Sequence, residues 1–361
     1  MNNDRIQEIL DLMEEARLDY FLISDPQSIA YCTGYYNDPH ERMFVFMISK
    51  HGNHTLFMND LFYLEHDLDV NIVWHKDGQD AIQTIVDEMH FPGRIGIDKN
   101  WASHFLLDLM KKLPDAKYIN ASPCVDLVRM KKDLQEQVLM IESSKINDAV
   151  MEEIIPFLDE WEALKNVVTE KQLAKKLDEL FFNHHSTCYG AIVAFGKNAA
   201  DPHHENDDTP LRKGDCVLID MGCVYKGYCS DMTRTFFYEG ILEEEIKVYE
   251  IVKKANEAAE AMIKPGVKLS DIDKCARKVI SDEGYGKYFT HRLGHFIGRD
   301  VHEYGDVSSV NEMEVEEGMI FSIEPGIYLE GNFGVRVEDL VMVTKDRCQV
   351  LNSFTKDIYI I

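Results

Sequence analysis

Four carboxylates of this chain interrupt its most apolar, strand-like stretches, and a protein interior does not tolerate an unpaired ionised carboxylate. Asp220 follows Val217, Leu218 and Ile219; Asp231 lies eleven positions further on; Glu324 closes the apolar run FSIE; Glu338 sits inside GVRVEDLVMV. Burying such a group without a partner costs several kcal/mol. Cys216–Gly222 and Tyr228–Phe237 read as two strands around a turn at Tyr225–Tyr228, which brings Asp220 and Asp231 together across a hairpin. Two carboxylates that close repel each other, and at least one pKa must rise unless a cation lies between them. Taken alone, each is as well explained by a solvent-facing or hydrogen-bonded acid at a hairpin end.

A histidine-rich segment changes that balance. HRLGHFIGRDVHE (291–303) holds His291, His295 and His302, with glycines at 294 and 298. The histidine offsets are helical, but the glycines point to a strand or loop that approaches its neighbours closely. One cause covers the four acids and a histidine together: a dinuclear metal site, in which two divalent ions balance four carboxylates. A bridging water could then deprotonate near neutral pH and attack a carbonyl polarised by the paired ions. An oxygen-rich ligand set with a single imidazole favours Mn²⁺, with Co²⁺ or Zn²⁺ as alternatives.

The remainder of the chain frames this site. Residues 1 to about 125 alternate helix and strand: an amphipathic helix with Ile6, Leu10, Met13 and Ala16 on one face, a strand at Tyr20–Ile23, and a loop through Asp25-Pro26. A hairpin follows, Phe44–Ile48 with Thr55–Met58, then a strand near Ile95 and a helix over 102–112. A boundary falls near Pro123–Lys132, giving domains of 1–125 and 126–361. Beyond it, helices are expected at 134–160, 171–183, 242–263 and 270–283, the last opened by Ser270 and stopped by Gly284. The fold class is α/β in two domains, the second carrying the chemistry.

Composition excludes several functions. With 38 Lys plus Arg against 64 Asp plus Glu, a formal charge of −26, no basic stripe is available for nucleic acid or for an anionic membrane surface. The N-terminal stretch is a charged helix rather than a cleavable signal, and no apolar run approaches a membrane span. Eight cysteines without a CxxC pair, several inside apolar strands, read as reduced thiols of a cytoplasmic protein.

The motifs DMG…DMTRT, GHFIGRDVHE, IEPGIY and GVRVED resemble, in order and spacing, those of the pita-bread-fold metallopeptidases: methionine aminopeptidase, aminopeptidase P, prolidase and creatinase. IAYCTGYYNDPHERMFVFMI is similar to the creatinase-type N-terminal domain, so the resemblance spans nearly the whole chain. It implies that Asp220, Asp231, His295, Glu324 and Glu338 are the metal ligands, with Asp231 and Glu338 bridging both ions. It further implies that Glu324 is the acid/base, that His302 stabilises the oxyanion, and that His291 and Arg336 stand beside substrate and metal. His203 matches a pocket-lining histidine, with His204 the competing assignment and an exposed loop pair the plain alternative. Relatives commonly have GHGIG where Phe296 stands here, a ring that either narrows the cleft or packs into the core; Tyr304-Gly305 also replaces a usual proline.

Within that resemblance the N-terminal domain and the full ligand set leave an Xaa-Pro dipeptidase (prolidase) and an aminopeptidase P-like enzyme acting on longer peptides; the loop Asn37–Arg42, which resembles that of small bacterial prolidases, favours the dipeptidase, with a non-catalytic peptide-binding relative behind both. A dipeptidase must hold the free carboxylate of proline, for which a guanidinium is the natural partner. Arg292 and Arg42 are the candidates, and a surface ion pair is the alternative for each. Small peptides are the expected partners, and the resemblance implies a homodimer.

Overall fold

The computed structural model describes residues 1–90, 92–163 and 167–361, apart from the side chains of 159–163. The chain divides into two compact units, Met1–Arg129 and Met130–Ile361.

The first unit is built on a six-stranded sheet. Its helices are α1 (Asn3–Glu15), α2 (Pro26–Thr33), α3 (Ala81–Glu88), α4 (Ser103–Lys112) and α5 (Ser122–Met130). Its strands are β1 (Tyr20–Ile23), β2 (Val45–Ser49), β3 (Thr55–Asn59), β4 (Asn71–His75), β5 (Arg94–Ile97) and β6 (Lys117–Asn120), in the order β4-β3-β2-β1-β5-β6. Strand alternation sends Phe21, Ile23, Phe46 and Ile48 into one core with α1, α2 and α5, and Tyr20, Leu22, Val45 and Met47 into another with α3 and α4. Both faces of the sheet are therefore covered, and its central strands are apolar on both sides. The loop expected through Asp25-Pro26 is instead the start of α2. The Asp25 side chain accepts the Ser28 N–H as N-cap, and Pro26 occupies the first turn, where a missing N–H costs nothing.

The second unit opens with α6 (Leu134–Ala163) and α7 (Glu170–Asn183). Then come β7 (Thr187–Cys188), β8 (Ile192–Phe195), β9 (Cys216–Met221), β10 (Cys223–Tyr225), β11 (Tyr228–Cys229) and β12 (Met232–Phe237). After α8 (Glu243–Met262) and α9 (Leu269–Asp282) follow β13 (Gly294–His295), β14 (Asp306–Val307), β15 (Ile320–Ile323), β16 (Gly326–Leu329), β17 (Phe333–Arg336), β18 (Asp339–Val343) and β19 (Cys348–Val350). β9 is the middle strand of β8-β9-β12, β15 and β19 flank β18, and β16 pairs with β17.

Two expected strands prove to be interrupted. Tyr228–Phe237 breaks at Ser230-Asp231, so Asp231 stands one residue before β12 rather than within it. GVRVEDLVMV breaks at Val337-Glu338, where the chain passes from β17 in one sheet to β18 in another. Both acids thus sit at strand ends, where the ladder stops and a side chain can turn toward a site.

The irregular apolar spacing of α6 also has a cause. Val138 is 57% exposed, whereas Ser143, Ser144 and Asn147 are fully buried beside Met140, Val150 and Ile154. Asn147 donates from Nδ2 to the carbonyl of Met221 (3.0 Å) and accepts from the Ser230 hydroxyl (2.8 Å); Ser143 donates to the carbonyl of Tyr228 (3.2 Å). The helix holds the hairpin through polar contacts, not only through apolar packing. Among the described residues no helix is long and apolar enough to cross a membrane, and all eight cysteines are free.

Candidate active site and metal centre

The register of β9 with β12 places Thr233 directly opposite Asp220, and Asp231, two residues before Thr233, on the same face. Gly222 permits the tight approach at this end: a Cβ there would lie 1.9 Å from Tyr189 Oη and 2.1 Å from the carbonyl oxygen of Ser230. On the opposing element, Gly294 lets β13 lie against β15, because a Cβ would meet the Ser322 carbonyl oxygen at 1.9 Å. That approach lets the His295 N–H reach Ser322 Oγ (2.9 Å), and the same hydroxyl donates to Glu324 Oε1 (3.2 Å).

A cavity of about 410 Å³ is lined by ten of the residues singled out in the sequence: Asp220, Asp231, His295, Glu324 and Glu338, with His203, His291, Arg292, His302 and Arg336. Arg42 belongs to the other unit, where its guanidinium is bidentate on Asp77 (3.0 and 2.9 Å) and also pairs with Glu41. Phe296 is fully buried and packs against Phe321, the rings tilted by 46° with centroids 5.3 Å apart, so it lies in the core and leaves the cavity wall to its neighbours. His204 turns away from the cavity to Glu170, 2.6 Å away, while His203 lines it.

The electrostatics of the carboxylates are strained. Asp231, His295 and Glu338 are buried and offer ligand atoms all within 4.8 Å of one another. Burial, compounded by Asp220 and Glu324, pushes the Asp231 carboxyl well above the usual range; burial with Asp231, Glu324 and Asp220 does the same to Glu338. Burial also lifts Glu324 to about 7 against the opposing pull of Arg336. Burial and the neighbouring His302 ring lower His295 to about 3, so its imidazole is neutral.

These residues fit a divalent cation. His295 Nδ1 faces the carbonyl of Phe296 (3.2 Å), which can only accept, so the proton lies on Nδ1 and the lone pair of Nε2 points into the cluster. That Nε2 stands 3.6 Å from both Asp231 Oδ2 and Glu324 Oε1, beyond hydrogen-bond reach. The separation matches ligand atoms that each lie about 2.1 Å from a shared ion. Glu338 Oε1 is buried without a hydrogen-bond partner, while its other oxygen accepts from Thr233 Oγ1 at 2.6 Å. An anionic oxygen left bare at the centre of such a cluster is what a metal would satisfy.

Thr233, Tyr328 and Arg234, which the sequence reading did not single out, support this arrangement together with Arg336 and His291, which it did. Arg336 donates to Asp220 Oδ2 (2.7 Å), Thr233 Oγ1 (3.1 Å) and Tyr328 Oη (3.0 Å). Since Tyr328 accepts from the guanidinium, its own hydroxyl proton is free for His291 Nε2, 2.8 Å away. His291 Nδ1 donates to the carbonyl of Arg292 (2.7 Å), which makes His291 the neutral Nδ1 tautomer; burial lowers its pKa to about 4. Behind Glu338, Arg234 donates to its backbone carbonyl (2.6 Å) and pairs with Asp339 (2.7 Å). The two-residue alternation of Asp231, Thr233 and Thr235 was the available signal for Thr233; Tyr328 offered none, because its partners are distant in sequence.

The model of metallopeptidase family M24 matches residues 138–345, and that of the creatinase/prolidase N-terminal domain matches residues 5–131. An uncharacterized peptidase of Staphylococcus aureus (strain MRSA252) is 34% identical over 361 residues, covering 98% of this chain and 99% of its own. Among solved structures, a dipeptidase from Pyrococcus horikoshii OT3 is 34% identical with a TM-score of 0.90, over 99% of this chain and 100% of that one. The Xaa-Pro dipeptidase from Bacillus anthracis is 27% identical with a TM-score of 0.90, over 99% of each chain.

Proposed function

The chain belongs to metallopeptidase family M24, with a creatinase-type N-terminal domain and a pita-bread catalytic fold, and from that premise we propose that it is a manganese-dependent Xaa-Pro dipeptidase. The observation that carries the dipeptide reading is Arg292. It lines the cavity, is exposed, and its guanidinium makes no hydrogen bond or ion pair among the described residues. The other arginine there, Arg336, is buried and committed to Asp220, Thr233 and Tyr328. An uncommitted guanidinium at the cavity wall is suited to the free carboxylate of a C-terminal proline.

Asp220, Asp231, His295, Glu324 and Glu338 would hold two divalent ions, and the oxygen-rich donor set supports Mn²⁺ over softer ions. Such ions would polarise the scissile carbonyl and acidify a water for attack. Glu324, at the wall of the cavity, is placed in this reading to take a proton from the attacking water and return it to the departing proline nitrogen. His302, exposed at the cavity with its pKa lowered by burial and by Arg292, is a neutral N–H donor for the oxyanion. Its ring centroid lies 4.3 Å from that of His295, which supports this role. His203 and His291 complete the wall against which the peptide lies. The free thiols suit a reducing, cytoplasmic setting, and the family resemblance supports a homodimer.

The test compares Leu-Pro with Leu-Pro-Gly on Mn²⁺-loaded protein of measured metal content. Rapid cleavage of the dipeptide and slow cleavage of the tripeptide is the expected result. Efficient tripeptide cleavage would make the enzyme an Xaa-Pro aminopeptidase. Metal-loaded protein that binds both peptides and cuts neither would be a binding relative.

A further inference from the structure

Glu170, the first residue of α7, is fully buried although it opens a helix. The helix does not need it as a cap, because Thr169 and Gln172 form a capping box. Its carboxylate turns instead to the segment after β8. Oε1 accepts from the Phe195 N–H (2.8 Å) and Asn198 Nδ2 (2.9 Å); Oε2 accepts from the Asp207 N–H (3.1 Å) and His204 Nε2 (2.6 Å). Four donors drawn from both ends of one segment converge on one buried group. The segment has little other regular structure, a 3₁₀ turn at Gly196–Ala200 being followed by irregular chain. Glu170, His204 and Asp207 have the composition of a metal site, but backbone and side-chain donors already fill both oxygens of Glu170.

The residue held between these anchors is His203, which lines the cavity while its neighbour Pro202 accepts from Arg336 Nη1 (3.4 Å). We propose that Glu170 is a positioning residue of the active site, gripping both ends of the 195–207 segment and the His204 ring so that His203 is held at the substrate cleft. The choice between the adjacent histidines follows from this clamp: one ring is consumed by Glu170, and the other is left to face the cavity. The inference rests on reading that cavity as the peptide cleft.

The experiment is a double-mutant cycle on the full-length, Mn²⁺-loaded enzyme with metal content and melting temperature measured for each variant. Glu170→Ala should lower kcat/KM for Leu-Pro about ten- to a hundredfold with metal content unchanged, the scale expected when a cleft group is displaced by an ångström or so. In a His203→Ala background the same substitution should cost less than about twofold, because the group it positions is gone. Equal fold losses in both backgrounds, or none in the first, would overturn the proposal. If Glu170→Ala does not fold, His204→Phe removes one anchor alone, and its loss of kcat/KM should likewise vanish in the His203→Ala background. Glu170→Gln keeps one acceptor oxygen and sets an NH2 against the backbone N–H that the other oxygen served, so it should recover only part of the activity lost in Glu170→Ala. Hydrogen exchange separates the two ideas. If the wild type cuts no Xaa-Pro peptide the functional reading fails, while faster exchange of the 201–207 amides in His204→Phe still supports the clamp, and unchanged exchange refutes it.

Discussion

Arg336 sets the behaviour of its surroundings because a buried guanidinium that serves four acceptors at once, the Pro202 carbonyl among them, has no conservative replacement. Arg336→Lys keeps the charge and loses the fork that spans Asp220, Thr233 and Tyr328. Breaking such a buried arrangement costs about 3–5 kcal/mol, to be read as a fall in denaturant midpoint, with weaker metal retention because Glu338 loses the orientation passed on by Thr233. Unaltered stability and metal content would show that Lys suffices. Phe296 calls for the opposite expectation. Its ring is buried against Phe321, so Phe296→Ala should cost about 3–5 kcal/mol of stability while the ratio of dipeptide to tripeptide rates stays the same. A marked change in that ratio with little loss of stability would place the ring in the cleft instead. Arg292→Gly, in contrast, should raise KM for Leu-Pro about tenfold or more and narrow the gap to the tripeptide, since a charge-assisted pair is lost from the bound state. Unchanged kinetics would remove Arg292 from the carboxylate site.

At the level of elements, the metal hairpin is held by helix α6 through Asn147, which satisfies both the Met221 carbonyl and the Ser230 hydroxyl in a buried setting. Asn147→Ala removes both bonds, leaving the Ser230 hydroxyl only the weaker contact with the Cys223 carbonyl (3.4 Å), and should cost about 1–3 kcal/mol, measurable by urea unfolding. A loss below that of an ordinary surface substitution would mean that water takes over. These contacts explain why α6 was only partly legible: its apolar residues recur at mixed intervals because polar residues share the buried face. The central strands of the first unit were easier to read, since β1, β2 and β3 are short and buried on both sides, whereas the partly exposed β4 and β6 went unread. The Glu338 strand was harder, because an apolar stretch can continue across a sheet change, and nothing local in GVRVEDLVMV marks the break. Asp25-Pro26 carries both a turn signal and a helix-start signal, and only the packing of Ile29 and Tyr31 into the core decides between them.

Taken whole, the second unit should be stabilised by metal in a pH-dependent way. Asp231, Glu324 and Glu338 have folded-state pKa values raised above their unfolded ones, mainly by burial. Between the two values the folded, metal-free state binds more protons than the unfolded state, so stability falls as pH rises. The contribution is fully present below the ordinary carboxylate range and is lost as pH climbs through about 7 for Glu324 and through the raised values of Asp231 and Glu338. The difference in melting temperature between metal-loaded and metal-free protein should therefore widen from pH 5 to pH 8, and loading should release protons. A gap that is constant or that shrinks with pH would contradict the placement of these acids. The four acids of the proposed metal site stood out in the sequence because each is an ionisable residue set against an apolar stretch, a local pattern that buried charge violates visibly, while His295 joined them through its glycine-bearing segment and the family resemblance. The partners that tune them were not readable. Thr233 meets Arg336, Tyr328 meets His291, and Glu170 meets His204 across separations that no periodicity links. Nor could adjacent residues such as His203 and His204 be told apart by composition. Their roles depend on which ring a distant carboxylate captures, and only the packed chain determines that.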